Sequence, residues 1–275
     1  MNSIETRGWR QALLVACLLT AALVTLSGCA SRGGSAADAN SAEIVTDSDE
    51  PISRKRARIR LELAVGYFEQ GQTNIALDEL KQSITADPDY AAAYNLRGLI
   101  YLRLNDLRIA EESFKKALAL EPQGASVMHN LGWLYCQDGR YGQSQQYFSQ
   151  ALGNPQYRER AKTLRAQGLC QVRAGQREAG EQSLLKSYDL EAGNPVTAYN
   201  LATLMFQRGE RTGAQFYVRR LNNSDLANEE SLWLGIKIER SLENRAAVQQ
   251  LGAQLIKRFP QSRQADAFQR GSFDE

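Results

Sequence analysis

The stretch AAAYNLRGLIYLRLNDLRIAEESFKKALALEP, residues 91–122, decides the fold. Two segments with helical apolar spacing flank Asn105, and Asn is one of the few residues that tolerates the left-handed backbone closing a helix. Gly98 and Ala110 sit in the two segments where small side chains let helices approach, so the stretch reads as a helix-turn-helix hairpin. Turn residues recur at Gly71, Asn105, Gly139, Gly175 and Gly209, spaced 34, 34, 36 and 34 apart. Small residues recur with them: Ala64, Gly98, Gly132, Gly168, Ala202 and Gly235 in the first helices, and Ala76, Ala110, Ser144, Gly180, Ala214 and Ala247 in the second. Six units follow, at 57–90, 91–124, 125–158, 161–194, 195–227 and 228–261.

The period and the residue types resemble the tetratricopeptide repeat. In the second unit Tyr94, Gly98, Tyr101, Ala110, Phe114, Ala117 and Pro122 stand where that family places them, and only Arg97 departs. The third supplies Leu131, Gly132, Tyr135, Phe148 and Ala151; the first supplies Leu63, Ala64, Tyr67, Ala76, Leu80 and Pro88. Later units are looser, with Gln171 and Met205 in place of Tyr, although Asn194 before Pro195 is a strong helix start. The expected fold is all-α, a right-handed superhelical α-solenoid of six such repeats, in which each unit buries its apolar face on its neighbours.

The resemblance implies a concave surface built from positions 2, 5, 9 and 12 of each first helix. Those positions hold Leu61, Val65 and Phe68; Asn95, Leu99 and Leu102; His129, Trp133 and Cys136; Arg165, Leu169 and Val172; then Tyr199 and Phe206. The expected groove is apolar, occupies positions that packing does not require, and suits an extended or helical segment of another protein. Filling by the chain's own end, Arg263 to Phe273, or by a second copy is the alternative. Leu61 and Val65 stand where the carboxylate clamp of chaperone co-factors places Lys and Asn, so no such clamp is read here.

At the other end of the chain, Arg7 and Arg10 precede an apolar run from Ala12 to Leu26, followed by Ser27, Gly28 and Cys29. As a helix this run spans roughly 22 Å against a hydrocarbon core of about 30 Å, which favours a cleaved signal over a permanent span. Leu-Ser-Gly-Cys resembles the bacterial lipobox. The resemblance implies a signal peptide at 1–28 and a covalent lipid on Cys29, and Ala30 in place of Asp implies the outer membrane, facing the periplasm. Residues 29–56 are read as a flexible tether, since Ser, Gly, Ala, Asp and Asn give no apolar period. The basic run Arg54-Lys55-Arg56, with Arg58 and Arg60, is read as a solvated helix entry in preference to a lipid contact. Residues 262–275 are read as a C-terminal tail.

Composition bears on what the chain does not do. A net charge of +2 on 275 residues is too balanced for a generic nucleic-acid binder. No glycine-rich loop ending in Lys-Ser or Lys-Thr is present, so no nucleotide site is expected. His129 is the single histidine and no local motif gives it a nucleophile, which argues against an enzyme. His129 and Cys136 share a helix face without a third ligand, so neither a metal site nor any cofactor beyond the lipid is expected. Cys136 and Cys170 lie near the ends of first helices in neighbouring units. A disulfide between them closes a loop of roughly 35 residues, worth about 3–4 kcal/mol by loop entropy; two free thiols are the equal alternative.

Four runs carry a narrower resemblance: Ala57 to Tyr67 (ARIRLELAVGY), Asn130 to Tyr141 (NLGWLYCQDGRY), Ser231 to Arg240 (SLWLGIKIER), and Phe259-Pro260 through Phe268. With the lipobox, the tether and six repeats, they resemble the type IV pilus biogenesis and stability proteins, the PilF/PilW family of pilotins, from residue 57 to about 270. The resemblance implies a non-catalytic outer-membrane lipoprotein that binds the secretin pore subunit and helps it localise and multimerise. A lipoprotein scaffold recruiting periplasmic peptidoglycan enzymes is the rival reading, and an enzyme built around an unsuspected site is a third.

Overall fold

In the computed structural model, which describes residues 49–273, the chain reverses at Gly71, Asn105, Gly139, Gly175 and Gly209 with φ of 76°, 61°, 74°, 80° and 87°. Each reversal joins two helices: α1 (Ile52–Glu69) to α2 (Thr73–Ala86), α3 (Ala91–Arg103) to α4 (Leu107–Leu120), and α5 (Ala125–Gln137) to α6 (Tyr141–Gly153). The pattern continues with α7 (Arg160–Arg173) to α8 (Arg177–Leu190), and α9 (Pro195–Gln207) to α10 (Arg211–Asn222). A sixth hairpin, α11 (Glu229–Ser241) to α12 (Arg245–Arg258), turns at Glu243 with φ of 60°. Glu is a poor residue for that conformation, which is why no sixth turn stands out in the sequence. Among the described residues there is no strand. From Glu50 onward the chain forms one compact unit.

Side-chain caps begin several helices. Asp106 accepts from the Ile109 amide, Asn194 from Thr197, Asn244 from Ala247, and Asn228 forms a reciprocal capping box with Ser231. Within a hairpin, the small residue of the first helix receives a large one from the second. A Cβ on Gly98 would lie 2.4 Å from the Phe114 ring, and one on Gly132 would lie 2.6 Å from Phe148. The glycines are therefore sockets for fully buried rings, each ring contributing about 1.5–3 kcal/mol by burial.

Among the described residues there is no central core. Leu80 packs with Ala93, Leu96 and Ile100 of the next hairpin, and Phe114 with Leu131, Leu134 and Tyr135 of the one after, so hydrophobic clusters run along the stack. First helices of successive hairpins also meet, α1 with α3, α3 with α5, α5 with α7 and α9 with α11, and they therefore form the inner side of the curve.

Two boundaries differ from the sequence reading. Helix α1 starts at Ile52, so the last five residues assigned to the tether are helical. The Arg54 guanidinium holds them down by pairing with Asp87 and covering the Tyr90 ring at 4.8 Å. The assigned tail holds a further helix, α13 (Arg263–Arg270), capped by Ser262 at its start and by Gly271 in the left-handed conformation at its end. It packs on α12 and α11, with Phe268 against Gly252 and Phe273 stacked on Trp233 at 5.7 Å. The chain's own end thus closes the C-terminal end of the stack and does not fill the groove of the first repeats. The expected signal peptide, Cys29 and most of the tether lie outside the described residues.

Candidate protein-binding groove

The inner side of α1, α3, α5 and α7 carries the side chains singled out by repeat position. Val65 is exposed; Leu61, Phe68, Asn95, Leu99, Leu102, Trp133, Arg165 and Leu169 are half-buried. One expectation needs correction: these positions do take part in packing. Leu61 and Phe68 rest on the cluster shared by the first two hairpins, Leu99 and Leu102 on that of the second and third, and Leu169 on that of the fourth and fifth. First helices touch along the inner curve, so one edge of each side chain is buried in the joint and the other is left open.

Two arginines that the repeat template does not pick out shape the surface. Arg103 lies over the Phe68 ring at 5.1 Å, and Arg173 over Trp133 at 5.2 Å. Each comes from the last turn of a first helix and crosses to an aromatic of the preceding hairpin. The apolar strip is therefore edged with guanidinium groups. Asn130 donates to Asn95 at 2.9 Å and Arg165 pairs with Glu191 at 3.1 Å, so the polar groups near the strip have partners of their own.

His129 is not a groove residue. Its side chain is 7% exposed, with Nδ1 at 2.8 Å from the Thr163 hydroxyl, which also lies 2.8 Å from the Tyr157 hydroxyl. Tyr157 sits in the connection between α6 and α7, where the interval between turn residues lengthens from 34 to 36, and its buried side chain reaches the same Thr163 hydroxyl as the histidine. Burial, aided by the nearby Lys162 and Arg165 charges, pushes the imidazole down to about 4, so it is neutral at pH 7. Neutral, buried and bonded to a hydroxyl, it joins the third and fourth hairpins. Cys136 and Cys170 meet in the same joint as a disulfide, with Cα atoms 5.8 Å apart, and Trp133 packs over the pair. Cys136 is buried and does not line the groove.

Charged networks lie between hairpins and away from the strip. Burial pushes the Glu111 carboxyl up, but hydrogen bonds from Arg140, Lys115 and Tyr135 outweigh it and hold the group down at about 2. Glu239, buried in α11, accepts from Arg219, Gln215 and Asn244, and Glu181 accepts from Arg208. Each of these carboxylates accepts from at least one arginine of a neighbouring hairpin, a structural arrangement. Among the described residues no three His, Cys, Asp or Glu side chains gather as a metal centre requires.

Comparison with known proteins agrees with this architecture. Family models described as TPR repeat and tetratricopeptide repeat match residues 66–105, 91–123 and 113–146. The chain is 26% identical over 246 residues to the type IV pilus assembly protein PilF of Pseudomonas aeruginosa, covering 90% of this chain and 94% of that one. A solved structure of Pseudomonas aeruginosa PilF superposes with a TM-score of 0.71 at 25% identity, over 80% of this chain and 99% of that one. The crystal structure of PilW, described as a widely conserved type IV pilus biogenesis factor, superposes with a TM-score of 0.69 at 27% identity, over 77% and 97%.

Proposed function

We propose, from this chain's place beside PilF and PilW among the tetratricopeptide-repeat proteins of type IV pilus biogenesis, that it is an outer-membrane lipoprotein working as a pilotin. In this reading the groove of the first four repeats holds a segment of the secretin pore subunit. An acyl group on Cys29 moors the pair on the periplasmic side of the outer membrane while secretin subunits multimerise. The run Leu26 to Cys29 supports the acylation.

The observation that carries the reading is the strip formed by Leu61, Val65, Phe68, Leu99, Leu102, Trp133 and Leu169. It is continuous over four helices, half open to solvent, and longer than the scattered surface Leu of an ordinary helical protein. A segment laid along it gains about 25 cal/mol for each Å² of apolar surface removed from water. Arg103 and Arg173 supply donors at its edge, suited to the carbonyls of an extended chain. Nothing in this scheme requires a bond to be made or broken; recognition rests on shape and dehydration.

A photoreactive residue at position 99 or 133 of the full chain tests the scheme. Its capture should be a secretin peptide, and Val65→Asp, at the exposed member of the strip, should abolish secretin multimers while leaving helicity unchanged. Capture of a peptidoglycan enzyme would instead favour the envelope-scaffold reading.

A further inference from the structure

We propose that the outward face of α1 is a docking surface for an anionic lipid bilayer. At about 100° per residue, Ile59, Ile52 and Leu63 fall within an arc of about 40°, opposite the buried Ala57 and Ala64. They are 47%, 78% and 44% exposed. The cause lies in the repeat itself. The position of Ile59 recurs in the next four hairpins as Ala93, Val127, Thr163 and Thr197, all buried; that of Leu63 recurs as Arg97, Leu131, Gln167 and Leu201, of which the two leucines are buried and the other two half-buried. Among the described residues no hairpin precedes the first, and its stacking face is open.

A terminal repeat normally presents a polar outer face. This one keeps aliphatic side chains and adds cations: Lys55 and Arg56 flank the arc on its two sides, and among the described residues neither has an ion-pair partner. The neighbouring Arg54, Arg58 and Arg60 are paired with Asp87, Glu50 and Glu62, and Glu79. An apolar ridge bordered by free cations matches the boundary between acyl chains and anionic headgroups. A second copy fits it poorly. A two-fold contact gathers two copies of Lys55 and Arg56 in one interface, and a head-to-tail contact needs an open C-terminal face, which α13 covers. The proposal rests on the reading that the chain is moored at Cys29, only 23 residues ahead of Ile52, a separation whose root-mean-square reach, read as a coil, is about 26 Å. Docking of α1 then orients the stack on the membrane, where the anchor alone leaves it free to tumble.

The test uses the chain from residue 29 with Cys29→Ser, which has no acyl group, and co-sedimentation with vesicles. Binding to phosphatidylglycerol–phosphatidylethanolamine vesicles should exceed binding to phosphatidylcholine vesicles and fall with added salt. Lys55→Gln with Arg56→Gln should weaken it by roughly 30-fold, at about fivefold per cation. Ile59→Ser with Leu63→Ser should weaken it at least as much, without lowering the thermal midpoint. Equal binding to both vesicle types, or unchanged binding by both double variants, overturns the proposal. So does a wild-type dimer in sedimentation velocity that Ile59→Ser with Leu63→Ser turns into a monomer. Acylation is read separately, from the mass of the wild-type chain extracted from membranes, so either reading can fail alone.

Discussion

At the C-terminal end of the stack α13 lays Phe268 into the space left by Gly252 and brings Phe273 over Trp233; at the N-terminal end Ile52, Ile59 and Leu63 face outward, and no helix among the described residues covers them. Both ends meet the same difficulty, since an array of nearest-neighbour contacts leaves one unpaired face at each terminus. One end is closed by an eight-residue helix carrying Phe268 and by Phe273 just beyond it, and the other keeps aliphatic groups among cations. The difference teaches that an open apolar face here is specific to one end, which is what makes it informative.

Breaking the joint midway between the ends should have the largest effect. The Cys136–Cys170 disulfide ties the third hairpin to the fourth, and replacing both with Ser should cost about 3–4 kcal/mol. Urea unfolding followed by hydrogen exchange should then separate into two transitions, with α1 to α6 opening before the capped C-terminal half. Phe268→Ala should cost about 3 kcal/mol, near the low end for a buried ring because the side chain is only partly enclosed, and should expose Trp233 to fluorescence quenchers. Loss of the cap should make the two ends alike in hydrogen exchange.

A pH series probes the middle joint again. The unfolded imidazole takes a proton below about 6.5, whereas folded His129 stays neutral until about 4. Its contribution is therefore complete above pH 6.5 and declines as pH falls toward 4, by up to about 3 kcal/mol. His129→Gln should flatten the dependence of the urea midpoint on pH across that window. The smallest effect belongs to the open end: Ile59→Ser or Leu63→Ser should change stability by less than about 0.5 kcal/mol in thermal melts, since neither side chain is enclosed. A loss near that of Phe268→Ala would mean that the first hairpin packs on something and that the contrast between the ends is false.

Much of the fold was legible because the turn chemistry is local. Asn105 and the four glycines at the same spacing adopt the left-handed backbone that their residue types suggest, whereas Glu243 makes the same turn without a residue type that marks it. Helix α13 was missed because it has no repeat partner, although Ser262 and Gly271 are ordinary start and stop signals. The groove was legible in outline. Repeat position placed Leu99, Leu102 and Trp133 on the inner side, yet it also placed His129 there, whereas the imidazole is buried against Thr163, which Tyr157 from an irregular connection also reaches. Arg103 and Arg173 went unnoticed because a cation at the end of a helix usually reads as solvated; that each reaches back over an aromatic ring depends on how far the preceding hairpin is rotated.

The first five hairpins, their turns and the sockets beneath Phe114 and Phe148 follow from the amino-acid order alone, because every one of those contacts is made within a hairpin or with the next one. Exposure does not follow from it. Whether Ile59 meets water while the matching Ala93 and Val127 do not, whether His129 is sealed and which rings the arginines cover are consequences of how hairpins stack. Burial belongs to the assembled surfaces, and identical repeat positions acquire different surroundings once some have a neighbour and others have none.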